Sequence, residues 1–171
     1  MKSYVLSVLV KNHSGVLRRV SSLFARRGYN IESLTVGVTE NPKLSRMTVV
    51  VSGDEYTVDQ ITKQVSKLVE ILNVEILDPE TSVFRELVLV KVRTTRETRA
   101  EILEISNIFR SRVVDVAEHS LVLEATGDAN KLNALIRMLE PFTVLEIVRT
   151  GFAAVRRGEK SFSGEAKYEE D

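Results

Sequence analysis

Asn12, three residues before Gly15, opens the stretch NHSGVLRRVSSLFARRGYN, and Asn30 closes it. Between them runs one amphipathic helix pattern, so small polar residues stand at both of its ends. The first N–H groups of a helix have no intrahelical partner and carry a partial positive charge. A carboxylate is a suitable partner for them. Gly15 lacks a Cβ, which lets a ligand approach the backbone closely. Asn12 offers a donor and acceptors, and Asn30 offers a second amide. An α-amino acid asks for this mixture: N–H donors for its carboxylate and carbonyl acceptors for its ammonium. The plain alternative needs no ligand. Asn12 or Ser14 then caps the helix, Gly28 ends it in the left-handed conformation, and Asn30 is a turn residue. Spacing alone leaves both open.

Groups for catalysis are sparse. The two histidines, His13 and His119, fall in polar turns with no adjacent ligand cluster, which argues against a metal site. The absence of cysteine removes disulfides, thiolate metal sites and a Cys nucleophile. There is no nucleophile elbow, dinucleotide fingerprint or phosphate loop. Carboxylates are plentiful but spaced as ordinary solvated faces. The sequence therefore predicts no enzyme active site.

Lys+Arg 24 against Asp+Glu 24 gives zero formal charge, so no global basic field points to nucleic acid. RNA recognition by base stacking needs aromatics on inner strands. Tyr4-Val5-Leu6-Ser7 and Met47-Thr48-Val49-Val50-Val51 offer only Tyr4. Arg18-Arg19 and Arg26-Arg27 read as the solvated outer face of the first helix, and Arg156-Arg157 as a tail feature suited to partner contact. No stretch approaches the roughly 18 apolar residues of a membrane span. The start, MKSYVLSVLVKNHSG, is followed by no cleavage-type site. The expectation is a soluble cytoplasmic protein with neither nucleic acid nor membrane as partner.

The elements that must position Asn12, Gly15 and Asn30 are written in hydrophobic period. Tyr4, Leu6, Val8 and Val10 alternate as a strand. Val16, Leu17, Val20, Leu23 and Phe24 mark one helical face, and Gly28 suits the helix end. Ile31 to Val38 and Met47 to Val51 are strands around an Asn41-Pro42 turn. Asp54 and Glu55 suit a helix start, with Val58, Ile61, Val65 and Leu68 on its buried face. Val74 to Leu77 closes a β-α-β-β-α-β unit. Asp78-Pro79-Glu80-Thr81-Ser82 is a polar break. The plan then recurs: strand Leu87 to Val92, helix face Ile102, Ile105, Ile108 and Phe109, strands Val113 to Val116 and Leu121 to Ala125, helix face Leu132, Leu135, Ile136 and Leu139, strand Thr143 to Val148. The fold class is α+β, two tandem ferredoxin-like βαββαβ domains. The expected boundaries are 1–78, a linker 79–83, a second domain 84–158 and a polar tail 159–171. Ferredoxin-like units leave edges and one sheet face uncovered, and so commonly pair.

NHSGVLRRVSSLFARRGYNIESLTVG followed by NPKLSRMTVVVSGD closely resembles the small regulatory subunit family of acetolactate synthase, also called acetohydroxyacid synthase. FRELVLVKV and IVRTGFAAVRRGEK are in keeping, so the resemblance covers about residues 2 to 160. It implies that residues 1–78 are an ACT domain binding valine or another branched-chain amino acid at a homodimer interface. It implies a regulatory subunit that activates a large catalytic subunit and makes it feedback-sensitive. Thiamine diphosphate, Mg²⁺ and FAD are then expected in the catalytic subunit, with none held by this chain. The family's effector residues fall on Asn12, Gly15 and Asn30, with backbone from Val16, Leu17 and Ile31, while His13 and Val16 occupy variable positions that tune affinity. The second unit has Arg93-Thr94-Thr95-Arg96 where the motif would be, which argues against a matching site there. The rival reading is a stand-alone ACT-type sensor controlling another partner.

Overall fold

In the computed structural model, which describes residues 2–162, β1 (Lys2–Lys11) turns Leu6, Val8 and Val10 toward two helices. Alternation makes this face apolar, as strand geometry requires. α1 (Val16–Arg27) buries Val16, Val20, Leu23 and Phe24 and ends at Gly28 with φ 68°. The order continues with β2 (Ile31–Val38), β3 (Leu44–Gly53), α2 (Glu55–Val65) and β4 (Ile71–Leu77). The sheet is antiparallel with strand order β2-β3-β1-β4, so β2 and β4 are its edges. Asp54 starts α2 by accepting a hydrogen bond from Thr57 N at 2.7 Å. Val58, Ile61 and Val65 of α2 join Met47, Val49 and Val51 of β3 in one core.

The second copy comprises β5 (Ser82–Arg93), α3 (Arg99–Ile108), β6 (Arg112–Val116), β7 (Ser120–Gly127), α4 (Ala129–Leu139), a 3₁₀ turn at Glu140–Phe142 and β8 (Val144–Arg149). Its sheet runs β6-β7-β5-β8. Val88, Val90, Val92, Leu121 and Leu123 pack on Ile102, Ile105, Leu132, Leu135 and Leu139. Asp128 caps α4 by accepting from Lys131 N at 2.9 Å. Two βαββαβ units in an α+β fold are thus present, as the periodicity predicts.

Four details differ from the sequence reading. Ile108 is not on the buried face: it is 67% exposed, because α3 ends there and the helical stripe stops with it. The expected linker, 79–83, runs into β5, which begins at Ser82. The chain divides into Met1–Val83 with Phe152 onward, and Phe84–Gly151. The compact second unit ends at Gly151, and the rest of the expected 84–158 clusters with the first unit. Beyond it a ninth strand, β9 (Ala153–Arg156), pairs with β5, and Arg157 N donates to Thr81 O at 2.8 Å. The physical reason is an ion pair between Arg156 and Glu75 of β4, together with Phe162 packing against Leu9, Leu44 and Leu72. Arg156-Arg157 is thus strand and turn, not free tail. Of the expected tail, 159–171, residues 163–171 lie outside the described residues. Among the described residues no helix is long and apolar enough to cross a membrane.

Candidate functional site at the start of the first helix

β1 ends where Lys11 N donates to Glu70 O at 2.9 Å. Asn12 is then tied to the β2–β3 loop twice: its backbone N donates to Lys43 O at 2.7 Å and its side-chain Nδ2 to Pro42 O at 2.9 Å. Neither Asn12 nor Ser14 caps α1, which corrects the capping alternative. The N-cap residue is Gly15, at φ 89° and ψ −13°, and no side chain caps the first turn. A left-handed residue there requires glycine. An added Cβ at Gly15 would meet nothing within 4 Å, so that face of the helix start is open. The first helical bond is Arg19 N to Gly15 O at 3.0 Å. Its opening amides, Val16 and Leu17 among them, have no partner within the helix.

Val16 is buried at 3% exposure and anchors the helix start in the core, while Leu17 is 46% exposed. Gly15, Arg18, Arg19, Ser22, Arg26 and Leu68 line one shallow depression. Arg18 and Arg19 stand in the first turn beside the uncapped helix start, a setting suited to a carboxylate, while Arg26 lies in the last turn of α1. The sequence reading placed Arg18, Arg19 and Arg26 on a solvated face, and all three are exposed; it did not connect them with Gly15. The signal was available: Gly15, Arg18, Ser22 and Arg26 are spaced by three and four, one stripe of a helix. Arg19 also pairs with the buried carboxylate of Glu70, which fixes α1 to the strand beside it.

Asn30 and Ile31 lie elsewhere. Gly28 N donates to Ala25 O at 3.2 Å and Tyr29 N to Phe24 O at 3.0 Å, closing the far end of α1. The Tyr29 ring meets Phe24 edge to face, with centroids 6.3 Å apart. Asn30 is exposed, and its side chain makes no hydrogen bond among the described residues. Ile31 starts the edge strand β2, whose Val36 and Val38 are exposed. A twelve-residue helix puts about 18 Å between its ends. One chain therefore brings Asn12, Gly15, Val16 and Leu17 together and keeps Asn30 and Ile31 apart from them.

The corresponding turn of the second unit is closed differently. Thr98 Oγ1 accepts from Thr95 N at 2.9 Å, Thr95 Oγ1 accepts from Thr98 N at 3.3 Å, and Thr94 N donates to His119 O at 2.9 Å. His13 and His119 stay exposed, and no group of three His, Cys, Asp or Glu residues that could hold a metal occurs among the described residues.

An antiparallel βαββαβ sheet with an open, glycine-capped start to its first helix defines an ACT domain, a regulatory domain class. The family described as "AHAS small subunit-like ACT domain" matches residues 6–73, and "Small subunit of acetolactate synthase" matches residues 85–158. The chain is 50% identical over 165 residues to the acetolactate synthase small subunit of Mycolicibacterium smegmatis, covering 96% of each. It is 50% identical over 157 residues to the probable acetolactate synthase small subunit of Archaeoglobus fulgidus, covering 92% of this chain and 98% of that one. The crystal structure of the small subunit from Thermotoga maritima superposes with a TM-score of 0.85 at 44% identity, covering 94% of this chain and all of that one. The chain belongs to the acetolactate synthase small-subunit family.

Proposed function

We propose that this chain is the regulatory subunit of an acetolactate synthase, works as a homodimer, and binds valine or a related branched-chain amino acid as feedback effector. The observation that carries the reading is the open start of α1, where Gly15 at φ 89° leaves uncapped amides beside Arg18 and Arg19. The effector carboxylate meets those amides. Asn12 shapes the loop and Asn30, with the Ile31 backbone, receives the ammonium.

Because Asn30 is a helix length from Gly15, the complete site takes Gly15 from one subunit and Asn30 from the other. The unpaired edge of β2 is the surface that joins them. The effector then bridges two ACT domains and favours one dimer arrangement. That controls the large catalytic subunit only if the two arrangements bind it differently. Thiamine diphosphate, Mg²⁺ and FAD are assigned to the catalytic subunit, and the working compartment to the cytoplasm.

The test is an assay of each subunit alone and mixed, with thiamine diphosphate, Mg²⁺ and FAD, with and without valine. The reading expects no turnover by this chain, a gain on mixing, and a loss of that gain with the effector. Turnover by this chain alone, or no gain on mixing, rejects it, the latter in favour of a sensor for another partner.

A further inference from the structure

The sheet of the first unit has a second face, turned away from its helices, and that face carries a row of polar side chains. Glu75 on β4, Ser7 on β1, Thr48 on β3 and Thr35 on β2 stand directly opposite one another across all four strands. Ser7 and Thr48 are buried, at 0% and 4% exposure. Arg46, two residues from Thr48 on the same face, is part-buried beside them. The chain from Ala153 to Phe162 arches over this face, held by the Arg156–Glu75 ion pair and by Phe162 against Leu9, Leu44 and Leu72. Between arch and sheet lies a cavity of about 560 Å³, within the roughly 300–1,000 Å³ of small-molecule sites.

Two groups in this cavity are prepared for a ligand. Arg46 Nε donates to Ser7 Oγ at 2.8 Å, which fixes the plane of the guanidinium. The Phe162 ring lies 4.9 Å from the guanidinium carbon and stacks on it. Its two terminal nitrogens make no hydrogen bond among the described residues. Beside it Thr48, a residue at 4% exposure, lines the cavity. A part-buried guanidinium with a free two-nitrogen edge matches a carboxylate bidentately. The lining also includes apolar Leu9, Val38 and Ala154 and the charged Glu40, Glu159 and Lys160.

We infer that the first unit holds a second small-molecule site, distinct from the helix-start site, in which Arg46 and Thr48 bind the carboxylate of a small organic acid whose apolar body lies under the Ala153–Phe162 arch. Ser7 positions the guanidinium. Burial lowers the pKa of Arg46 and the nearby Glu40 carboxylate partly offsets this; an arginine remains cationic at neutral pH. Arg156 is committed to Glu75 at the far end, which leaves Arg46, held by Ser7 and Phe162, and the exposed Lys160 as the lining cations that can meet the ligand's charge.

The experiment titrates the isotope-labelled full-length chain with acetate, isobutyrate and benzoate, and with uncharged isobutyramide, following backbone amide resonances. At least one carboxylate should give saturable shifts centred on Arg46, Thr48 and Phe162, and isobutyramide should not. Arg46→Met should weaken that binding about tenfold or more, and Thr48→Val about two- to tenfold. If Arg46→Met misfolds by circular dichroism, Thr48→Val and the amide comparison decide. Gly15→Asp should leave the isobutyrate shifts in place, which separates this site from the amino-acid site. The inference is overturned if no carboxylate saturates, if Thr48→Val and folded Arg46→Met bind as wild type does, or if Gly15→Asp abolishes the binding.

Discussion

Gly15 and Asn30 stand at opposite ends of α1, the first as its left-handed N-cap and the second just past Gly28 at its far end. The two residues best suited to grip opposite ends of an amino acid are thus held apart by a rigid helix. Rigidity matters: α1 buries Val16, Val20, Leu23 and Phe24, and Arg19 pairs with Glu70. The helix holds that distance within one chain, so an amino acid gripped by both residues, as proposed, needs Gly15 and Asn30 from two subunits.

The anchoring of α1 is itself testable. Glu70 is a carboxylate at 6% exposure whose ionic partner is Arg19. Arg19→Met leaves it buried without that partner, a loss of about 1–3 kcal/mol. Adding Glu70→Gln removes the stranded charge and should recover a large part. Urea unfolding of both single variants and the double variant reads the coupling, and purely additive effects would show the pair to be idle.

Each unit has its own core, so each should have its own weak points. Phe24, 2% exposed, lies in the first core, and Phe24→Ala should cost that unit about 3–5 kcal/mol. Leu132, fully buried in the second, should cost its unit about 2–5 kcal/mol as Leu132→Ala. Hydrogen exchange resolves the site of the loss: amides of β1 and β3 should lose protection in the first variant, and those of β5 and β7 in the second.

Most of this architecture is written in period. The alternation of Leu6, Val8 and Val10 and the helical stripe Val16, Val20, Leu23, Phe24 reach the structure unchanged, because each is a local pattern with one buried face. Met47 to Val51 reads as a continuous apolar run with Thr48 inside it. Its position explains that: β3 is an inner strand with helices on one face and the Ala153–Phe162 arch on the other. The arch was illegible, since Ala153-Ala154-Val155 is a short apolar run among charges and its partners, Glu75 and Leu9, are far away in sequence. The capping alternative for Asn12 could not be settled in sequence, because its choice of Pro42 O depends on where the β2–β3 loop falls. Ile108 fits the stripe of α3 but lies at its end, which periodicity alone does not mark.

Asp54 gives a pH signature. Its carboxylate is held below the ordinary range by the hydrogen bonds from Thr57 at the start of α2. A carboxylate depressed in the folded state contributes stability above its unfolded pKa and loses it as pH falls through the folded value. The contribution of Asp54 should therefore be complete at neutral pH and fade below about pH 4. Asp54→Ala should lower the melting temperature at pH 7 and narrow its gap to wild type as the solution is acidified. A gap that widens on acidification would contradict the assignment.

The central claim is that one amino-acid site is built from Gly15 of one subunit and Asn30 of the other. Gly15→Asp places a charge of the ligand's own sign at the helix start and strains a residue at φ 89°. Asn30→Ala removes the amide at the other end, and one unpaired buried polar group at about 1–3 kcal/mol corresponds to a roughly 5- to 150-fold weaker site. Each variant alone should leave a folded dimer with impaired valine binding. The deciding measurement is a calorimetric valine titration of the mixed dimer, one chain Gly15→Asp and the other Asn30→Ala. A shared site leaves both lesions in one composite pocket and the other pocket wild type, so one valine should bind per dimer with wild-type affinity. A mixed dimer with no wild-type-affinity site would contradict the account.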